Sequence, residues 1–105
     1  MPHYDLKQIK VLAASQAIGY SGRTIHRRAV SMGYEPCEVA RCLQCLSPSD
    51  FHKTLPAYDG GIIYDVYKTS YIPSFSNRPD DLYLKIRIIG DSLEIEIGSF
   101  KLQTS

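Results

Sequence analysis

The chain has 105 residues, 12 Lys+Arg against 11 Asp+Glu, and a formal net charge of +1, so a single domain over residues 1–105 is expected. Its 44% hydrophobic and 22% charged residues match an average globular chain and exclude disorder or coiled coil. The longest wholly apolar run, Val11 to Ala14, is far short of the ~20 residues of a membrane span, and near-neutral charge disfavours a protein that coats nucleic acid. The opening Met1 to Asp5 carries no leader pattern, and an odd cluster of Cys37, Cys42 and Cys45 is no disulfide framework. A reducing cytoplasm without membrane contact is therefore expected.

In chain order, the first half reads as helices. Asp5-x-x-Gln8 resembles a capping box, with Tyr4 and Ile9 placed for a hydrophobic staple. Leu6, Ile9, Leu12 and Ala13 give one apolar face that fades near Gln16. A connector, Ile18 to Gly22, leads to a second helix from Arg23 or Thr24, striped by Ile25, Ala29 and Met32 and closed by Gly33. Pro36 opens a third helix, Pro36 to Leu46. Ser47-Pro48-Ser49-Asp50 opens a fourth, short one that carries Phe51, His52 and Lys53 and stops before Pro56. On the third helix Cys42 faces the core, while Cys37 and Cys45 are roughly 12 Å apart along the axis. The cysteines, with His52 nearby, are thus read as buried or incidental thiols rather than as a zinc site, and no metal or cofactor is expected.

The period then changes. Tyr58-Asp59-Gly60-Gly61 reads as a turn, Ile62 to Lys68 as a strand, and Tyr71 to Asp81 as a surface loop. Leu82 to Ile89 and Ser92 to Ile97 read as a hairpin about a two-residue turn, Gly90-Asp91. That register sets Ile88 against Leu93, Ile86 against Ile95 and Leu84 against Ile97. The other face pairs Arg87 with Glu94 and Lys85 with Glu96, and sets Tyr83 opposite Gly98. The expected fold is α+β: short helices packed on one face of a small antiparallel sheet.

No phosphate-binding glycine loop, zinc-protease pair or serine-nucleophile elbow occurs. What remains outside the core stripes is a set of cations and tyrosines. Tyrosine is abundant, at eight residues, and such surfaces suit RNA, whose bases stack on aromatic rings while phosphates pair with Lys and Arg. Charge is also uneven: residues 1–55 hold seven Lys+Arg and four acids, residues 56–105 five and seven. The local cluster of Arg23, His26, Arg27 and Arg28 reads by default as a solvated helix face.

Several blocks in order carry a resemblance. These are Pro2-His3-Tyr4-Asp5-Leu6, Leu46-Ser47-Pro48-Ser49-Asp50-Phe51-His52-Lys53-Thr54-Leu55, Asp65-Val66-Tyr67, Tyr83-Leu84-Lys85-Ile86, Asp91-x-Leu93 and Ser99-Phe100-Lys101. Together they resemble the MqsR family of bacterial toxins, messenger-RNA endonucleases with a RelE-like fold. The resemblance implies a metal-independent ribonuclease that cleaves single-stranded mRNA at GCU-type sites by 2′-hydroxyl attack, inhibits translation, and is neutralised by a cognate MqsA-like antitoxin. Direct DNA binding without the antitoxin is not expected. The family's active-site lysine falls on Lys53 and its tyrosine on Tyr83. Tyr64 stands where the family has Gln. Lys101 takes the family's S-F-K position only if a bulge at Gly98 or a longer strand corrects its parity. His52, where the family more often has Tyr, is a candidate general base or acid. Arg23, Arg27, Lys85, Arg87 and Tyr67 complete the expected RNA contacts. The alternatives are an RNA- or ribosome-binding module that does not cleave, and a protein-binding partner within a regulatory complex.

Overall fold

Local punctuation organises the first half of the chain. The Asp5 carboxylate accepts from the Lys7 amide at 3.0 Å and starts helix α1, Leu6–Ala14. Helix α2, Arg23–Ser31, ends at Gly33, whose φ of +89° is open to glycine and costly for other residues. Pro36 fills the first turn of α3, Pro36–Gln44. Cys42 faces the core from α3, while Cys37 and Cys45 are exposed. The computed structural model, which describes residues 1–56 and 61–103, sets these three helices against a five-stranded sheet. The architecture is α+β, as expected. Of the expected Tyr58–Gly61 turn, only Gly61 lies within the described residues.

The strands are β1 (Ile18–Tyr20), β2 (Phe51–Leu55), β3 (Tyr64–Tyr71), β4 (Asp80–Ile89) and β5 (Glu94–Leu102), in the spatial order β1-β5-β4-β3-β2. Only β1 runs parallel to its neighbour, and the other pairings are antiparallel. The core lies between sheet and helices. Ile9, Ala13, Val39, Leu43 and Leu46 meet Leu84, Ile86, Ile95, Ile97 and Phe100, and none is more than 1% exposed.

Three expectations need correction. First, the connector after α1 is strand β1, paired at Ile18 with Ile95 and at Tyr20 with Ile97. Three residues carry too little periodicity to announce a strand. Second, the fourth helix is only a 3-10 turn, Pro48–Asp50, and Phe51 to Leu55 extend as β2. Asp50 accepts from the Ser47 amide at 2.9 Å and from Thr69 Oγ1 on β3 at 3.3 Å, which ties the turn to the sheet. So short a segment gains more from sheet pairing than from an isolated helical turn. Third, the β4–β5 hairpin slides by two residues. Ile88 faces Ile95, Ile86 faces Ile97 and Arg87 faces Glu96, around a loop from Gly90 to Leu93. A slide of two keeps every side chain on its own face, so alternation alone does not detect it.

The β3–β4 loop is also shorter than expected, residues 72–79. It is drawn over α3 by buried Glu38, whose carboxylate accepts from the Tyr71 and Ser74 hydroxyls and, at 3.2 Å, from the Ser74 amide.

Candidate functional site

Side chains that alternate with the core positions point to the opposite, open face of the sheet. Strand register arranges them in three cross-strand rows. Lys53, Val66, Lys85 and Ser99 form the middle row. Lys68, Tyr83 and Lys101 form the second. Leu55 faces Tyr64 in the third, at the level of the Arg87–Glu96 pair. Neighbouring strands are about 4.8 Å apart and successive rows about 7 Å, so four lysines and two tyrosines share a small area.

A bulge makes this possible. Lys85 pairs with Ser99 while Ile86 pairs with Ile97, leaving Gly98 as the extra residue. From Ser99 onward the facing of β5 is thereby reversed. Phe100 turns into the core, at 1% exposure, and Lys101 turns out, its Nζ 5.0 Å from the centre of the Tyr83 ring. The parity that set Lys101 on the apolar face is resolved at this one residue.

Gly98 has a second role. A Cβ there would come within 2.6 Å of the Tyr64 ring, so the ring lies directly on the glycine backbone. The Tyr64 hydroxyl donates to Glu96 Oε1 at 2.9 Å, and Arg87 Nε donates to the same oxygen at 2.8 Å. The Arg87 hydrogen bond, then that of Tyr64, holds the Glu96 carboxyl below the ordinary range against the opposing effect of burial. Burial, then Glu96, raises the Tyr64 hydroxyl. Tyr64 thus stands as a neutral, fixed ring. Beside it a groove of about 330 Å³ is lined by Leu55, Pro56, Ile62, Tyr64 and Lys85.

The β2–β3 pairing skips a residue between Phe51 and Lys53, and His52 is exposed at that irregularity. Local desolvation, then the charges of Lys68 and Lys53, hold its imidazole below the usual value. His52 is therefore neutral near pH 7 and able to accept a proton.

Of the residues nominated from sequence, Lys53, Tyr83, Lys85 and Lys101 come together on the open face, with Tyr64 at one side and His52 at the edge. Arg87 is ion-paired to Glu96 rather than to the expected Glu94, and Lys85 faces Ser99 instead of Glu96. Lys85 is thereby left to the open face. Tyr67, expected as an RNA contact, is instead fully buried in the core, its ring 5.7 Å from that of Phe51, and presents no surface to a ligand. Arg23 and Arg27 are exposed on α2, and nothing among the described residues ties them to the sheet face. Sequence reasoning missed Lys68, although it alternates with Tyr64 and Val66 along β3. It also left Arg28 as solvated surface, whereas Arg28 shares a groove of about 440 Å³ with Met32, Lys101 and Leu102. Among the described residues no three His, Cys, Asp or Glu side chains converge as metal ligands would.

A model of the family described as "Motility quorum-sensing regulator, toxin of MqsA" matches residues 1–102. No curated protein matches the chain.

Proposed function

The chain belongs to the family of motility quorum-sensing regulators that are toxins of MqsA, and on that premise we propose that it is a metal-independent endoribonuclease of single-stranded messenger RNA. Membership makes it a toxin of a toxin–antitoxin system, with an antitoxin as partner. Cleavage at GCU-containing sites, arrest of translation and neutralisation by that antitoxin are the finer parts of the reading. The observation that carries it is the bulge at Gly98, which sets Lys101 over Tyr83 on the face that also presents Lys53 and Lys85.

In this reading the 2′-hydroxyl oxygen attacks the adjacent phosphorus and its proton passes to His52. The bond from phosphorus to the 5′-oxygen breaks, leaving a 2′,3′-cyclic phosphate and a 5′-hydroxyl. Lys101 or Tyr83 supplies the proton to the leaving oxygen. Lys53 and Lys85 stabilise the charge that builds on the pentacoordinate phosphorane, the step at which fixed cations gain most over water. The lysine side chains fill the electrostatic role in this reading.

The test is cleavage of a defined messenger in EDTA with end-group mapping. Cyclic-phosphate and 5′-hydroxyl ends are expected, with no cleavage of the same sequence as DNA, which lacks the nucleophile. Lys53→Ala is expected to slow cleavage roughly 100-fold or more. Equal binding by wild type and Lys53→Ala without cleavage by either would replace the enzyme by an RNA-binding module.

A further inference from the structure

We propose that the groove beside Tyr64 holds the nucleobase next to the scissile phosphate, stacked on the Tyr64 ring, an assignment that rests on the RNA-cleavage reading of the neighbouring lysines. Tyr64 is built as a platform. Its ring packs against Gly98, where an added Cβ would come within 2.6 Å, and Glu96 tethers its hydroxyl at 2.9 Å. A ring already immobilised loses little freedom when a base stacks on it. Every base offers a π-face to such a ring.

The rest of the groove matches this occupant. Leu55, Pro56 and Ile62 supply apolar walls, and the volume, about 330 Å³, is at the small end of ligand clefts. It suits one splayed base better than a helix or a duplex. Lys85 both lines the groove and lies in the Lys53 row, so a base held there has its phosphate beside the lysines. The Glu96 charge behind the ring is compensated by Arg87 at 2.8 Å and does not repel the backbone.

The probe is a short RNA spanning a mapped cleavage site, with 2′-deoxyribose at the scissile position so that it binds uncut. Its affinity is compared with that of two copies, each abasic at one nucleotide flanking that position. For the wild type, one abasic copy is expected to bind roughly 5- to 100-fold more weakly. Tyr64→Ala should erase that difference. Tyr64→Phe, which keeps the ring, and Tyr64→Trp should preserve most of it. Gly98→Ala, whose Cβ displaces the ring, should reduce it.

A base penalty that persists in Tyr64→Ala overturns the groove assignment, as does a loss shared equally by intact and abasic probes. Weakened antitoxin binding by Tyr64→Ala with unchanged RNA affinity would also overturn it, in favour of a protein-binding groove. If the wild type cleaves in EDTA and depends on Lys53 while Tyr64→Ala keeps the base penalty, only the groove falls. If the wild type cleaves no message at all, the cleavage reading falls and takes the groove with it.

Discussion

His52 and Lys53 are adjacent on a strand, where neighbours ordinarily point to opposite faces. The residue skipped between Phe51 and Lys53 in the β2–β3 pairing relaxes that rule, and His52 senses both Lys68 and Lys53. If this imidazole takes the 2′-hydroxyl proton, activity needs its neutral form. The rate should hold above about pH 6.5 and fall as pH drops through the lowered His52 value. His52→Gln should reduce the plateau roughly 100-fold and remove that acid limb. Lys68→Met should instead move the limb toward neutral pH, because one of the two cations that disfavour the imidazolium is gone. A pH–rate profile of kcat/KM for the three proteins checks this, and an unchanged limb in His52→Gln would exclude the role.

Elements, more than single residues, decide how much of the site could be read in advance. The helices were legible because capping and termination are local: Asp5, Gly33 and Pro36 act within a turn of themselves. The hairpin faces were legible too, since alternation separates Lys85 and Arg87 from Leu84 and Ile86. Its register was not, because a two-residue slide preserves that alternation, and this slide decides that Arg87 rather than Lys85 is ion-paired. Strand β2 was missed because Ser47-Pro48-Ser49-Asp50 carries a local helix-start pattern, which the pairing of Lys53 with Val66 and of Leu55 with Tyr64 overrides. Such tertiary links also give one motif residue a structural role. Asp65, of the Asp65-Val66-Tyr67 block, is fully buried and accepts from the His3 amide at 3.0 Å, the Tyr4 amide at 2.8 Å and Thr54 Oγ1 at 2.6 Å. It pins the N-terminal segment and β2 to β3 from a fully buried position. Asp65→Ala leaves three donors without their acceptor and should cost about 2–4 kcal/mol. Thermal melting should show a Tm lower by roughly 8–16 °C, and a Tm unchanged within a degree would refute the structural role.

Across the whole molecule, near-neutral charge is partitioned. Two acids, Glu38 and Asp65, are buried among their donors, and Arg87–Glu96 is the ion pair found among the described residues. Lys53, Lys68, Lys85 and Lys101 thus form a cationic face on a chain of charge +1. The same economy fills the core with ionisable groups kept neutral. Burial, with the neighbouring Cys45, pushes the Cys42 thiol from 9.0 to about 12, and burial with Asp65 pushes Tyr67 to about 12. Burial and hydrogen bonds to Asp80 and Glu38 raise Tyr34 and Tyr71 further. In the unfolded chain these groups lose protons from about pH 9 to 10, while the folded chain retains them. The unfolded state then binds fewer protons, so stability is fully present below pH 9 and declines as pH rises through 12. Urea midpoints at pH 7, 9, 10 and 11 should stay level to about 9 and then fall. Tyr67 sharpens the test, because its buried hydroxyl has no hydrogen-bond partner among the described residues. Tyr67→Phe should leave stability at pH 7 equal or higher, since an unsatisfied polar group is removed. It should also make the alkaline decline shallower. A midpoint that stays flat to pH 11 would mean that these groups do ionise within the folded protein.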